Sequence, residues 1–550
     1  MKINKTFAFF LFVFLFINLG INAQNKKGKL LDSLDKTKLN WYNLDPTLNK
    51  VQGVSVDKAY LELLKNIPSK KKITVAVIDS GVDTEHEDLQ GKIWVNADEI
   101  PNNGIDDDNN GYIDDINGWN FLGNSKDENI QYETYEFIRV IKKLEPEFIN
   151  VKSNQDFLPE RRKDYETYLK CKKQYQTEYE KQLKDKTEID LIDKRLTNAE
   201  NLIKTHLKKE SFTNKELEAV FSRNEDVMNA RYFLLMIQKR GFKIDEFREF
   251  KDQVNLNFEK YLSKTFEPRN IIGDNIEDIN DKNYGNNNLK NSTPEHGTFV
   301  SGIIAGNRNN NIGINGIADN VEIMVLRAVP DGDERDKDVA LAIRYAVDNG
   351  ANIINMSFGK DYSPQKQMVD EAIKYAEEKN VLLIHSAGNE GVNLDVTESY
   401  PTFKFDDGKM ANNYISVGAT QSKLDKHFCG IFSNYGKQTV HIFAPGVDIL
   451  SLYPDNKYNI ADGTSFSGPV VSGVCALVWS YYPELTASEL KNVVLNSSIV
   501  YPKKKVLYPN IETPQKKKTE FTNLSITGGI VNAYEALKLA DKLVKEKITN

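Results

Sequence analysis

Cysteine is scarce in this chain of 550 residues, which contains only Cys171, Cys429 and Cys475. Three cysteines exclude a disulfide framework and a four-cysteine zinc site, and their odd number leaves at least one thiol free or intermolecular in an exported protein. An excess of positive charge is also missing, since the net charge is −7. We therefore expect no nucleic-acid partner. The hydrophobic fraction of 40% excludes global disorder.

Glycine is absent from residues 125–240, although the whole chain contains 32 glycines. Glu, Lys, Asp, Gln and Tyr dominate this region, and leucines and aromatic residues recur at helical spacing. Ser211–Glu216 has the pattern of a helix start with a capping-box acid, and Gly241 that of a helix stop. The pattern predicts a helical block over residues 126–285, whose charge runs are solvated helix faces.

A flexible linker is missing too, because no Gly/Ser/Pro-rich stretch divides the chain. The surplus length is therefore expected inside a domain, as an insertion, and not as an appended second domain.

The amino end has the pattern of a secretory signal peptide. Lys2 and Lys5 precede the apolar run Phe7–Ile17, and the small and polar stretch Asn18–Ala23 follows. The run is shorter than the roughly 20 residues of a membrane span, so an uncleaved anchor is the weaker alternative. No later stretch reaches membrane length. We expect a secreted protein, periplasmic or extracellular, without stable membrane insertion; Ile21 at position −3 leaves the cleavage site open.

Apolar runs of strand length alternate with helical patterns in the rest of the chain, which predicts an α/β fold: a doubly wound, mainly parallel sheet flanked by helices, with an inserted α-helical subdomain. The predicted strands are Ile73–Ile78, Val321–Val329, Ala351–Phe358, Val381–Ser386, Ile415–Gly418 and Thr439–Phe443. The predicted helices are Asp338–Asn349, Gln365–Lys379 and Gly468–Tyr481. The expected segments are a signal peptide, an N-terminal segment, the first α/β part, the insertion and the second α/β part, with bounds 1–23, 24–50, 51–125, 126–285 and 286–550.

Three short segments carry groups that can cooperate in nucleophilic catalysis. Asp79 ends a buried strand, His296 opens a helix with small residues, and Ser465 stands at a Gly-rich turn before an apolar helix. A serine hydroxyl needs an imidazole to take its proton and a carboxylate to orient the imidazole. Taken singly, Ser465 could be a helix cap and Asp79 a turn former. Taken together, the three residues predict an acyl-transfer site.

These segments resemble the Asp, His and Ser boxes of the subtilisin-like serine proteases, the subtilases (peptidase S8), and they occur in the same chain order. Further boxes are similar to segments of that family: Ser433–Gly436, Phe443–Val447 and Gly529–Tyr534. The resemblance covers about 51–124 and 286–545. It implies a secreted serine endopeptidase in which Asp79 orients His296, His296 acts as base and acid, and Ser465 is the nucleophile.

The resemblance also implies residues that bind the substrate, an extended polypeptide. Asn389, in Ser386–Gly391, corresponds to the oxyanion-hole amide. The substrate-binding residues are expected to be Ser357, Phe358, Gly359, Ser386, Ala387 and Gly388, which suggest a mainly apolar P1 pocket. The Ser box differs from the usual pattern at Phe466, Ser467 and Val470, which changes packing and not mechanism.

The size of the insertion leaves alternatives open. The chain before Asp79 is too short for the folded propeptide common in the family, so the helical block could serve as a folding aid or as a lid that restricts substrates. One alternative function is therefore a narrow-specificity processing protease, and another is an inactive binding or chaperone-like protein on this fold. The oligomeric state is not predicted.

An acidic loop between the Asp box and the insertion follows the first part of an EF-hand-type calcium loop. Oxygen ligands alternate and Gly111 is sixth, but the twelfth residue is Asn117, so Asp114 or Asp115 would have to complete the shell. The alternative is an Asx-rich surface turn. The predicted ligands of a structural Ca²⁺ ion are Asp106, Asp108, Asn110, Tyr112, Asp114 and Asp115.

Overall fold

The computed structural model describes residues 28–153, 157–308, 310–511 and 516–549. The predicted signal peptide, residues 1–23, lies outside the described residues. Within the described part of the chain, no helix has both the length and the apolar character needed to cross a membrane. The chain forms two compact units, one made of Met1–Gln131 and Pro268–Asn550 and the other of Tyr132–Glu267.

The first unit contains a nine-stranded sheet with the strand order β10-β13-β7-β6-β5-β4-β1-β3-β2, in which all neighbours are parallel except β10 and β13. Its strands are β1 (Ile73–Asp79), β2 (Gly118–Asn120), β3 (Val321–Arg327), β4 (Ile353–Met356), β5 (Leu382–Ser386), β6 (Tyr414–Thr420), β7 (Ile442–Pro445), β10 (Ile499–Val500) and β13 (Gly529–Ile530). Two hairpins lie outside the sheet: β8 (Ile449–Tyr453) with β9 (Lys457–Ala461), and β11 (Lys505–Leu507) with β12 (Lys518–Glu520).

Helices cover both faces of this sheet. They are α1 (Val56–Glu62), α7 (Glu295–Ala305), α8 (Asp336–Asp348), α9 (Lys366–Glu378), α10 (Thr464–Tyr481), α11 (Ala487–Asn496) and α12 (Ala533–Thr549). The β1 strand shows why the sheet needs a layer of helices on each face. Val75 and Val77 enter one hydrophobic core and Ala76 and Ile78 enter the other, so successive side chains are buried on opposite faces. The predicted α/β class, with a mainly parallel sheet flanked by helices and a helical insertion, is confirmed.

The second unit is helical within its described residues. Its helices are α2 (Glu136–Phe148), α3 (Pro159–Leu207), α4 (Asn214–Ala219), α5 (Glu225–Lys239) and α6 (Ile244–Leu256), the last followed by a π-helical turn, Asn257–Tyr261. Thr213 and Glu216 form the predicted capping box at the start of α4. Gly241, with φ of +79°, follows the end of α5 as predicted.

Strand and helix ends place the candidate catalytic groups. Each of the six predicted strands corresponds to a strand of the sheet, and β1 lies between β3 and β4 with its carboxyl end at Asp79. The apolar helix predicted from Gly468 begins earlier, at Thr464, directly after the extended residue Gly463, whose carbonyl accepts from the Phe466 N–H at 3.1 Å. Ser465 therefore lies in the first turn of α10.

Candidate active site

Asp79 and His296 form a hydrogen-bonded pair at the carboxyl end of β1. The Nδ1 atom of His296 lies 2.8 Å from Oδ1 and 3.0 Å from Oδ2 of Asp79. Asp79 is 2% exposed, whereas the side chain of His296 is 38% exposed. The backbone N–H of Ser80 donates to Asp79 Oδ1 at 2.8 Å and fixes the carboxylate. The contact assigns the Nδ1 proton to the side of Asp79 and leaves Nε2 as the basic nitrogen.

A glycine beside the histidine permits this close approach. A Cβ at Gly297 would lie 2.1 Å from the carbonyl oxygen of Gly81 and 3.1 Å from the Cβ of Asp79. Any larger residue would push the first turn of α7 away from the end of β1. The small residue that follows His296 is thus a steric requirement of the Asp79–His296 contact.

The charges around His296 favour its protonated form. Burial lowers the pKa of His296, but the negative charge and hydrogen bond of Asp79, together with the charge of Asp331, outweigh burial and raise it above its usual value. Stabilising the imidazolium is what a general base requires after it has taken a proton.

Ser465 lies half-buried in the first turn of α10, and the ring of the next residue, Phe466, lies near that of His296, with centroids 5.8 Å apart. Its hydroxyl donates to the carbonyl of Ser357 at 3.2 Å, and the Ser357 hydroxyl donates back to the carbonyl of Ser465 at 2.9 Å. This reciprocal pair joins the start of α10 to the end of β4.

Two buried side chains, those of Asn355 and Ser472, extend the Ser357–Ser465 hydrogen bonds into the interior of the first unit. Asn355 donates to the Ser357 hydroxyl at 2.9 Å and accepts from the Ser472 hydroxyl at 2.8 Å. All three residues are at most 4% exposed, so their hydrogen bonds are shielded from water. The chain of hydrogen bonds fixes Ser465 relative to the sheet.

Asn389 lies next to the start of α10. Its side-chain oxygen accepts from the Thr464 N–H at 2.8 Å and from the Thr464 hydroxyl at 3.0 Å. The Thr464 hydroxyl also accepts from the N–H of Gly388 at 3.1 Å. Because the amide oxygen is engaged, the exposed side chain of Asn389 has its NH₂ group available as a donor.

The predicted substrate-binding residues lie on the same edge of the sheet. Ser357 is buried, Phe358 half-buried and Gly359 exposed. The buried His385 has a pKa of about 4, lowered by burial, and its Nε2 lies 2.8 Å from the Phe358 carbonyl. A neutral imidazole donating from Nε2 would hold this backbone in place.

The second predicted segment, Ser386–Gly388, follows β5. Ser386 and Ala387 are buried, and a side chain at Gly468 would meet the Ser386 hydroxyl at 2.7 Å. Gly388 has φ of +100°, and a Cβ there would lie 2.5 Å from Asn434. Only glycine is compatible with this conformation and spacing.

Arg327, at the end of β3, is fully buried opposite Asp79 in the strand register. Its guanidinium donates to the Ser80 carbonyl at 3.0 Å, to Asn120 Oδ1 at 2.8 Å and to the Ile130 carbonyl at 2.7 Å. Burial lowers its pKa to about 10, partly offset by Asp331. Arg327 thereby ties the turn after Asp79 to two other segments of the first unit.

The acidic loop brings together only part of the predicted metal ligands. Oxygens of Asp106 and Asp108 lie within 4.8 Å of each other and of Glu99, which the sequence pattern missed because it lies outside the loop. Asn110 is next to them, since its N–H donates to both aspartates at 3.0 Å. Carboxylate oxygens are the ligands that hard divalent cations prefer, so the chemistry of this donor set fits such an ion.

The other predicted ligands have different contacts. Asp114 accepts from the N–H groups of Asn103 and Gly104, and the Tyr112 ring packs against Trp119 and other aromatic residues. Asp115 is fully buried and binds Asn96, Asn110 and Tyr345.

Sequence reasoning missed several residues of the site besides Glu99. The supporting roles of Thr464, Asn355 and His385 depend on partners distant in sequence; Asn389 and Thr464, for example, are 75 residues apart. Arg327 lies inside an apolar strand pattern and has no motif that would reveal its role.

Comparisons with known proteins agree with the motifs. Residues 70–528 match the Subtilase family. A thermophilic serine proteinase of Bacillus sp. (strain AK1) is 38% identical over 204 residues, which cover 37% of this chain and 46% of that protein. Subtilisin DY of Bacillus licheniformis is 35% identical over 201 residues, 36% of this chain and 68% of that protein. The solved structure of the prenylagaramide maturation protease PagA is 29% identical, with a TM-score of 0.36, and the match covers 45% of this chain and 82% of that one.

The chain spans less than half of the length of the thermophilic proteinase. The family match nevertheless extends over most of the chain and includes Asp79, His296, Asn389 and Ser465. On this evidence the chain belongs to the subtilase family of serine proteases.

Proposed function

We propose that this protein is a secreted serine endopeptidase that uses Asp79, His296 and Ser465 as its catalytic triad. The observation that carries the proposal is the contact of His296 Nδ1 with Asp79 at 2.8 Å, beside the helix that carries Ser465 in its first turn. Family membership supports the same chemistry. Secretion is supported by the charged, apolar and small-residue pattern of residues 1–23.

The first half of the reaction forms an acyl-enzyme. His296 Nε2 takes the proton of Ser465 Oγ as that oxygen attacks the scissile carbonyl carbon, and Asp79 stabilises the imidazolium through Nδ1. The carbonyl oxygen becomes an oxyanion, to which the Asn389 NH₂ group donates. The intermediate collapses as the C–N bond breaks, and His296 gives its proton to the leaving amine.

The second half releases the product. His296 takes a proton from water, whose oxygen attacks the acyl carbon, and Asn389 again binds the oxyanion. The bond to Ser465 Oγ breaks, His296 returns the proton to that oxygen, and a carboxylic acid leaves. Enzyme protonation is restored and one water has been consumed.

The substrate is proposed to be an extended polypeptide held along Ser357–Gly359 by main-chain hydrogen bonds. The exposed backbone of Gly359 and the anchored carbonyl of Phe358 support this placement. Phe358, Ser386, Ala387 and Gly388 would form a mainly apolar P1 pocket.

Calcium is proposed as a structural ion of the acidic loop, held by Glu99, Asp106 and Asp108, with Asn110 beside them. The ion would supply positive charge that lets these carboxylates stay close together. The loop leads into β2, whose Asn120 lies opposite Arg327 of β3, so we propose that the ion stabilises this part of the fold.

Covalent labelling tests the proposal. A fluorophosphonate should label the mature protein, and Ser465→Ala should remain unlabelled and fail to cleave a peptide library. Ser480→Ala is the matched control, because Ser480 lies on the same helix and its hydroxyl bonds only within it, to the Leu477 carbonyl at 2.8 Å. An unlabelled parent protein with normal peptide binding would overturn the proposal in favour of an inactive binding protein. The library profile would then distinguish broad cleavage from narrow processing.

A further inference from the structure

The hairpin formed by β11 and β12 concentrates positive charge in an acidic protein. Two runs of three lysines occur at its ends, and the neighbouring loop adds two more. The lysine patch consists of the exposed residues Lys423, Lys426, Lys503, Lys505, Lys516, Lys517 and Lys518. The N–H of Leu507 donates to the Lys426 carbonyl at 2.8 Å and joins the hairpin to that loop. The whole chain has a net charge of −7, so this accumulation is local.

The lysine patch is not neutralised by acidic side chains. Within residues 28–153, 157–308, 310–511 and 516–549, none of its lysines forms a salt bridge. Glu520 stands opposite Lys505 in the strand register, yet the pair is not in ion-pair contact. Lys517 lies over the Tyr508 ring, 5.5 Å from its centroid. Like charges concentrated on one hairpin and its neighbouring loop repel one another, and an anionic partner would relieve that repulsion.

The hairpin lies against the segment that carries the oxyanion amide. Val506 and Phe521 share a buried cluster with Ala387. A Cβ at Gly391, two residues after Asn389, would lie 2.9 Å from the Cα of Asn510, which follows β11. The Tyr508 ring lies 5.6 Å from that of Tyr435. The hairpin that carries the lysine patch therefore packs directly against the segment Ala387–Gly391, which contains Asn389.

We propose that the lysine patch is an exosite that binds an acidic segment of the polypeptide substrate. The inference rests on the proposed protease function and adds a substrate class to it. An extended chain covers roughly 3.3 Å per residue, so an acidic run within about ten residues of the scissile bond can reach the hairpin. Such a run is delivered by the same polypeptide that occupies the cleft, which raises its effective concentration at the patch. A free polyanion lacks this advantage.

Tailed peptides test the exosite. One cleavable core peptide, chosen from the library profile, is extended on either side by six Glu or six Gln residues. With the parent enzyme, the peptide that carries the Glu tail on one of its two sides should have a kcat/KM roughly tenfold higher than the matching Gln-tailed peptide, mainly because its KM is lower. The gain should disappear at high salt, because exposed charges are screened. In the triple variant Lys516→Gln, Lys517→Gln and Lys518→Gln, kcat/KM for the Glu-tailed peptide should fall towards that for the Gln-tailed peptide.

The matched control changes net charge equally at another surface. Lys542, Lys545 and Lys547 lie on α12 and pair with Glu546, Asp541 and Glu489, and their replacement by Gln should preserve the tail effect. Equal cleavage of both tails by the parent enzyme, or a gain that survives in the Lys516–Lys518 variant, would overturn the exosite. Failure to cleave even the untailed peptide would instead contradict the protease function. Inhibition by free polyphosphate without any tail effect would show that the patch binds anions in general, against this proposal.

Discussion

The side-chain oxygen of Asn389 accepts two hydrogen bonds from Thr464, the residue immediately before Ser465. The contact couples the proposed oxyanion donor to the start of the helix that carries the proposed nucleophile. It also settles the orientation of the amide, because an oxygen that faces two donors leaves the NH₂ group for the substrate.

Removing the NH₂ group of Asn389 should therefore lower kcat. We expect Asn389→Ala to reduce kcat by about 10²–10³-fold with little change in KM, since the oxyanion exists only after attack. Thr464→Val should give a smaller loss of kcat because it removes the hydroxyl donor and leaves only the backbone N–H to hold the amide, and Thr464→Ser should restore most of it. Steady-state kinetics on one peptide measure both constants. An unchanged kcat in Thr464→Val would contradict an orienting role for the Thr464 hydroxyl.

The pH dependence of kcat/KM should report the raised pKa of His296. Only neutral His296 can act as base, so activity should fall as the pH drops through that pKa. Asp79→Asn removes the charge that raises the pKa, so the acidic limb should move to lower pH while kcat falls by about 10⁴-fold. If the acidic limb of the kcat/KM profile of Asp79→Asn lies at the same pH as in the parent protein, that limb reports the titration of a group other than His296.

Arg327 is expected to act as a positioning residue, because it fixes the turn after Asp79. A lysine cannot reach all three acceptors, so Arg327→Lys should leave buried acceptors unsatisfied and loosen the Asp79–His296 contact. We expect kcat per titrated active site to fall about tenfold, with the acidic limb shifted to lower pH.

The control for this variant is Arg269→Lys, a 7% exposed arginine paired with Asp274 and Asp338. It should lower the melting temperature without moving the pH profile. If Arg327→Lys likewise lowers only the melting temperature, Arg327 is a structural residue and not a positioning one.

Calcium removal should destabilise the protein if the acidic loop holds an ion. A chelator should lower the melting temperature of the parent protein. In the presence of calcium, Glu99→Gln should have a lower melting temperature than the parent protein, and chelator should lower that temperature less. Asp98→Asn is the comparison, because Asp98 is the adjacent acid outside the carboxylate cluster. A parent melting curve that does not respond to chelator would argue against the site.

The sequence was most informative where one segment determines its own structure. The strand Ile73–Asp79 is apolar and β-branched, so its burial and its ending at Asp79 could be predicted locally. The three boxes could be recognised because each combines a reactive side chain with small residues that permit close packing, as Gly297 does.

Features that depend on distant partners could not be predicted. The three acceptors of Arg327 come from different parts of the chain, and Glu99 joins the acidic loop from outside its spacing pattern. The composition shift gave 126–285 for the insertion, while the compact helical unit is Tyr132–Glu267. The flanking residues are highly polar, as the insertion is, but belong to the first unit, where Ile130 binds Arg327 and Arg269 binds Asp338.

The order of strands in the sheet has a consequence for biosynthesis. The strand that ends at Asp79 pairs only with β3 and β4, and residue 356 must be added before both neighbours exist. At about 5–20 residues per second, the ribosome needs roughly 15–55 s after making β1 to supply them. During that interval the nascent chain holds Asp79 without its sheet partners. The helical unit Tyr132–Glu267 therefore lengthens the interval between the synthesis of Asp79 and the completion of the two strands that flank β1.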